Sequence, residues 1–156
     1  MPERLQPGDK APDFTLPDQH GEPFHLLGSL QERQSRHLVY FYPKADTPGC
    51  TAQACGLRDV LGSVGGTGIV GISPDKPKAQ AAFDAKYGLG FPLLSDADHA
   101  VAEAYGVWVQ RSMYGRAYMG IERSAFLVGE DGRLEHVWYK VSPADTAQNL
   151  LRALAS

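Results

Sequence analysis

The run His37-Leu38-Val39-Tyr40-Phe41-Tyr42, and the way it ends, constrains this chain more than any other feature. It is short, apolar, and rich in β-branched and aromatic residues, which suits a central strand. Pro43 ends it, because proline has no N–H to give a sheet ladder. Shortly afterwards Thr47-Pro48 opens a helix, with Thr47 at the N-cap and Pro48 at the first helical position, where a missing N–H costs nothing. A buried strand passing directly into a helix is the start of a β-α-β unit.

The remaining punctuation continues that alternation. Phe14-Thr15-Leu16 and Phe24-His25-Leu26 read as an N-terminal hairpin across Pro17 to Pro23. The helix from Pro48 to about Val64 carries Cys50, Ala54, Leu57, Leu61 and Val64 on one face, with Cys55 off that stripe. Gly68 to Ser73 is a second strand, Pro77 to Tyr87 a helix closed by Gly88, and Phe91 to Leu94 a short strand whose proline belongs at an edge or a strand start. A short helix from Ala100 to Tyr105 stops at Gly106. Ser124 to Val128 and Leu134 to Tyr139 flank Glu130-Asp131-Gly132, a hairpin signal, and a last helix begins at Ser142-Pro143-Ala144-Asp145, a capping-box variant, with Leu150, Leu151 and Leu154 free to pack on the sheet. With 43% hydrophobic residues among 156, the chain has material for a real core, and residues 1–156 are expected to form one α/β domain with a central mixed sheet flanked by helices.

Both cysteines lie in Thr47-Pro48-Gly49-Cys50-Thr51-Ala52-Gln53-Ala54-Cys55. Cys50 falls in the first helical turn, where free N–H groups and the positive end of the helix dipole favour the thiolate. The thiolate is the reactive form, so Cys50 is a candidate nucleophile. Other readings stand beside this one. A permanent disulfide would need Cα atoms closer than the roughly 8 to 9 Å that a regular helix gives this spacing. A zinc site would need paired ligand spacing, and His20, His25, His37, His99 and His136 are scattered. Inert buried cysteines are common in cores.

A formal net charge of -3 gives no general attraction to nucleic acid or to an anionic membrane. The segment Met1 to Lys10 lacks the apolar stretch of a signal peptide, and no run of about 18 apolar residues occurs. A cytoplasmic protein is expected. There, a disulfide is more often transient and catalytic than structural.

Pro43-Lys44-Ala45-Asp46-Thr47-Pro48-Gly49-Cys50-Thr51-Ala52-Gln53-Ala54-Cys55, followed by Leu57-Arg58-Asp59, resembles the active-site segment of peroxiredoxins of the bacterioferritin comigratory protein (PrxQ) type. Gly8 to Phe14 resembles that family's start. Tyr105 to Trp108, Tyr114 to Arg116, Met119 to Ile121 and Arg123 to Val128 resemble its second half, in the same order. The resemblance implies a thioredoxin-like fold with peroxiredoxin additions and a set of roles: Cys50 peroxidatic, Cys55 resolving, Thr47 and Arg123 activating the sulfur and orienting the peroxide, Pro43 shielding it from water. It implies a hydroperoxide substrate, a Cys50 sulfenic acid, a Cys50–Cys55 disulfide reached by local unwinding that Gly49 and Gly56 ease, and reduction by thioredoxin or a similar dithiol. No metal or organic cofactor is implied. A monomer is expected, a dimer being the alternative. Much of the superfamily has Glu three residues after the nucleophile, whereas Gln53 stands here, able to accept an arginine hydrogen bond without adding charge. Two other classes use the same cysteines: a thiol-disulfide oxidoreductase, which would normally carry C-x-x-C, and a redox sensor or holdase.

Overall fold

In the computed structural model, which describes residues 4–155, the chain runs β1 (Thr15–Pro17), β2 (Pro23–His25), α1 (Leu26–Arg33), β3 (His37–Phe41), α2 (Pro48–Val60), β4 (Gly68–Ser73), α3 (Pro77–Tyr87), β5 (Leu93–Ser95), α4 (Ala100–Ala104), β6 (Trp108–Met113), β7 (Arg116–Ile121), β8 (Ser124–Val128), β9 (Leu134–Trp138) and α5 (Thr146–Ala155). Residues 1–3 and 156 of the expected domain lie outside the described residues. Five strands form the central sheet in the order β5-β4-β3-β8-β9. β3, β4 and β5 run parallel, while β8 is antiparallel to β3 and to β9. The sheet is therefore mixed, with β3 in the middle, as the apolar run requires.

Successive side chains of a strand point to opposite faces, and β3 feeds two cores in this way. Leu38, Tyr40 and Tyr42 pack with Cys50, Ala54 and Leu57 of α2, Phe83 of α3 and Leu150 of α5. Val39 and Phe41 pack on the other face with Leu26 and Leu30 of α1, Ala102 of α4, Tyr105 and Phe126. Each fully buried Leu or Phe contributes roughly 1.5 to 3 kcal/mol, so both helical layers are held by burial rather than by local propensity. β4 accommodates the rings of β3 by lacking side chains beside them. Gly68 and Gly71 are the register partners of His37 and Tyr40, and a Cβ at either glycine would come within 2.9 Å of the neighbouring ring.

The sheet order matches the thioredoxin-like expectation, while several boundaries differ from the sequence reading. Leu26 opens α1 instead of closing a strand; the Leu27 N–H is satisfied by Asp13 Oδ1 at 3.0 Å, a cap from far upstream that no local pattern announces. α2 stops at Val60 and tightens into a 3₁₀ turn over Leu61–Ser63, although Leu61 and Val64 still pack in the same core. α5 starts at Thr146, not at Ser142. Ser142 Oγ accepts the Asp145 N–H at 3.2 Å, so the capping-box residues close a turn ahead of the helix. β5 lies slightly beyond the predicted strand, with Pro92 just before it at the sheet edge. The β6–β7 hairpin was not foreseen as strands. It is largely exposed, so it lacks a buried-face alternation, and its turn places Tyr114 and Gly115 at φ 52° and 77°, a conformation that tyrosine does not signal.

Candidate active site

The carboxyl end of β3 leads through the loop 43–47 into the first turn of α2, which Arg123 reaches. Three tethers fix the loop. Ala45 N–H donates to Asp75 Oδ2 at 2.7 Å. The Asp46 carboxylate accepts Lys86 Nζ at 3.0 Å and the Tyr87 hydroxyl at 2.9 Å. Thr47 donates its hydroxyl to the Lys44 carbonyl at 2.9 Å. Thr47 thus occupies the N-cap position with extended backbone, but its side chain makes no helix cap. The hydroxyl is already engaged with the loop behind it.

Cys50 is only 1% exposed. In the first turn of α2, with Pro48 ahead of it, the amide N–H groups have no intrahelical acceptor and present the positive end of the helix. Topology explains why Arg123 reaches the same place. β8 pairs antiparallel with β3 so that Ser124 is level with Phe41. The residue before Ser124 therefore emerges at the end of the sheet where α2 begins. Arg123 Nη1 lies 3.4 Å from Cys50 Sγ and donates to Gln53 Oε1 at 2.8 Å. Gly49 leaves room for this approach, since a Cβ there would stand 3.1 Å from Arg123 Nη2 and press it back by a few tenths of an ångström.

Behind the arginine, Gln53 Nε2 donates to Thr146 Oγ1 at 3.0 Å, and Thr146 donates its hydroxyl to the Ser142 carbonyl at 2.9 Å. Thr146 was not among the sequence candidates, and neither was the spacing role of Gly49. No local motif marks either, because both act on groups distant in sequence. Beneath the site, the phenol of Tyr40 is fully buried and has no hydrogen-bond partner among the described residues. Burial, then the neighbouring Tyr42 and Cys50, holds it protonated, well above the usual tyrosine range. The phenol of Tyr42 donates to Gln80, and Gln80 Nε2 donates to Ser73 Oγ and to the Leu94 carbonyl, both at 2.9 Å.

The geometry brings Cys50, Arg123 and Gln53 into one hydrogen-bonded group. Cys55 is half-buried, packed against the same core, and both cysteines are free thiols. Pro43 is exposed and, with Pro74, Trp108, Arg111, Tyr118 and Met119, lines a groove of about 350 Å³. A buried sulfur with a fixed guanidinium against it and a helix N-terminus beneath it is suited to nucleophilic attack. The guanidinium offers a charge-assisted hydrogen bond both to the anionic sulfur and to negative charge that develops on an attacked oxygen.

Residues 7–137 match the AhpC/TSA family. Peroxiredoxin Bcp of Escherichia coli K12 is 51% identical over 136 residues, covering 86% of this chain and 85% of that protein. A solved structure of the bacterioferritin comigratory protein of Xanthomonas campestris, described as giving insight into its alkyl peroxide reduction activity, superposes with a TM-score of 0.83 at 35% identity, covering 91% of this chain and 90% of that one. A cysteine-to-serine mutant of PrxQ from Xylella fastidiosa superposes with a TM-score of 0.89 at 28% identity over 98% of this chain and 97% of that one.

Proposed function

We propose that this chain, which belongs to the AhpC/TSA family and is a thiol peroxidase of the Bcp/PrxQ type, attacks hydroperoxides with Cys50 and resolves the product with Cys55. The single observation that carries this reading is the Arg123 guanidinium 3.4 Å from a buried sulfur in the first turn of a helix. The Cys50 thiolate attacks the terminal oxygen of ROOH in line with the O–O bond. An S–O bond forms, the O–O bond breaks, and the leaving RO⁻ takes a proton to become water or an alcohol. Arg123 stabilises the charge that moves onto the leaving oxygen. By the family resemblance, Thr47 joins Arg123 in activating the sulfur and orienting the peroxide, and Pro43 limits the access of water.

The Cys55 sulfur then attacks the Cys50 sulfenic acid, forming the S–S bond and releasing water. A regular helix separates residues five apart by about 8 to 9 Å at Cα, beyond disulfide reach, so the start of α2 must unwind first. A dithiol reductant, thioredoxin by our reading, returns both thiols by exchange. The alkyl peroxide activity described for the Xanthomonas protein supports organic hydroperoxides as substrates here too. The net charge of -3 supports a reading in which neither nucleic acid nor an anionic membrane surface is a partner, and among the described residues no helix is long and apolar enough to cross a membrane.

Peroxide consumption by cysteine variants tests the division of labour. Cys50→Ser should lose reaction altogether. Cys55→Ser should consume about one equivalent and stop at the sulfenic acid, detectable by mass. An unchanged first turnover in Cys50→Ser would sink the assignment.

A further inference from the structure

Direction distinguishes the polar chain behind Cys50 from an ordinary cluster of hydrogen bonds. A guanidinium only donates, so Gln53 must turn its carbonyl oxygen to Arg123 Nη1, at 2.8 Å. Its amide nitrogen then aims the other way, at Thr146 Oγ1, 3.0 Å distant. The one proton of Thr146 is committed to the Ser142 carbonyl at 2.9 Å, so Oγ1 is an acceptor and needs a donor. Gln53 and Thr146 are each 1% exposed, and bulk water stands in for neither partner. The two ends of the chain are therefore groups that cannot reverse, one a permanent donor and the other a permanent acceptor. A glutamate at 53 would satisfy Arg123 but could not donate to Thr146 Oγ1.

We infer that Thr146, the first residue of α5, is a positioning residue for the peroxide reaction: acting through Gln53, it sets where the Arg123 guanidinium stands against the Cys50 sulfur. The inference rests on Arg123 acting at the reacting atoms as proposed above. Without the Thr146 oxygen, the Gln53 amide carries an unpaired buried donor and rotates to find another partner, taking its carbonyl oxygen away from Arg123. α5 thus reaches the chemistry without touching substrate.

Stopped-flow oxidation of the reduced full-length protein by hydrogen peroxide, read as the second-order rate constant of the first turnover, tests this. Thr146→Val keeps the shape and removes the oxygen; the rate constant should fall by about tenfold. Thr146→Ser, which keeps the hydroxyl, should restore it to within about twofold of the parent. In an Arg123→Met background, adding Thr146→Val should change nothing further, because the group it positions is gone. No fall in Thr146→Val, or an equal fall in both backgrounds, overturns the inference. If Thr146→Val does not fold, Gln53→Met is compared with Gln53→Met/Thr146→Val. The relay is cut in both, so their rate constants must agree, and a difference overturns the inference. The Cys50→Ser control separates the levels: peroxide reaction there means the proposed function has failed, whereas a silent Cys50→Ser with a normal Thr146→Val means that only the inference has.

Discussion

The two ends of β3 each bury a titratable group, and they treat it in opposite ways. At the amino end, His37 has no exposed surface, and both ring nitrogens are engaged: Nδ1 with the Arg36 carbonyl at 2.9 Å and Nε2 with Ser29 Oγ at 2.7 Å. A carbonyl only accepts, so Nδ1 carries the proton and Nε2 receives the serine hydroxyl. The ring is neutral and closed, with no lone pair or proton free for chemistry. At the carboxyl end, the sulfur of Cys50 is equally buried but has the Arg123 guanidinium beside it and a helix N-terminus behind it. Burial alone does not make a site. What separates the two ends is whether the partners saturate the group or hold a positively charged donor against it.

The sharpest way to break this contrast is to remove the donor. Arg123→Met keeps bulk and deletes the charge, and the peroxide rate constant should fall by about a hundredfold, as when a single charge-stabilising donor is lost elsewhere. A normal rate at every pH would make Arg123 structural, and the carboxyl end no different from the amino end. Gly49→Ala is gentler. The new methyl forces Arg123 Nη2 back by a few tenths of an ångström from a 3.1 Å approach, and the same rate constant should drop by about threefold. Gly56→Ala touches the later step only. Its methyl would sit 3.9 Å from the Ala147 Cβ, an ordinary contact, so helix propensity decides. The variant should stabilise α2 by up to about 1 kcal/mol and slow disulfide formation by up to about fivefold, leaving the first oxidation unchanged. Hydrogen exchange over residues 48–56 in the dithiol and disulfide forms checks the unwinding directly: equal protection in both would mean that resolution follows another route.

The smallest effect on activity is expected at the other end of the strand. Burial, with the Arg33 charge adding to it, holds His37 below the ordinary histidine value. Because the folded value is depressed, its contribution to stability is fully present above about pH 6.5 and is lost as pH falls through the folded value, with a slope of at most about 1.4 kcal/mol per pH unit. Denaturant midpoints across that range should show the loss, and His37→Gln should flatten it. The peroxide rate constant per folded molecule should stay within about twofold in this variant, the mark of a structural group.

Both ends were unequally legible in the sequence. The β3 run, the proline that stops it and the Thr47-Pro48 start of α2 are local signals, and they placed Cys50 correctly in the first turn. Arg123 was assigned through the family resemblance alone; its approach to the sulfur depends on the register of β8 against β3, which no local pattern encodes. The Thr47 hydroxyl illustrates the same limit at short range. The residue type predicts an N-cap, yet the loop ahead of it offers the Lys44 carbonyl and takes the proton. No local pattern marks α1, because its amino end is satisfied from Asp13, or the β6–β7 hairpin, because it has too little buried surface to show a period. Gln53 was noticed as a departure, but its meaning lies in Thr146, which comes to it only in the folded chain.

The two glycines of β4 carry a consequence for how this chain can change over generations. Gly71 lies under the ring of Tyr40, with no room for even a methyl group. A larger residue at 71 is therefore open only to a descendant that has first given up the ring at 40, and deleting a buried aromatic side chain costs about 3 to 5 kcal/mol, a large part of the stability of a domain this size. The reverse order fails by collision. Replacement at 71 therefore waits on replacement at 40. Because Tyr40 shares its core with Cys50, the bare position at 71 also shapes the floor of the thiol site.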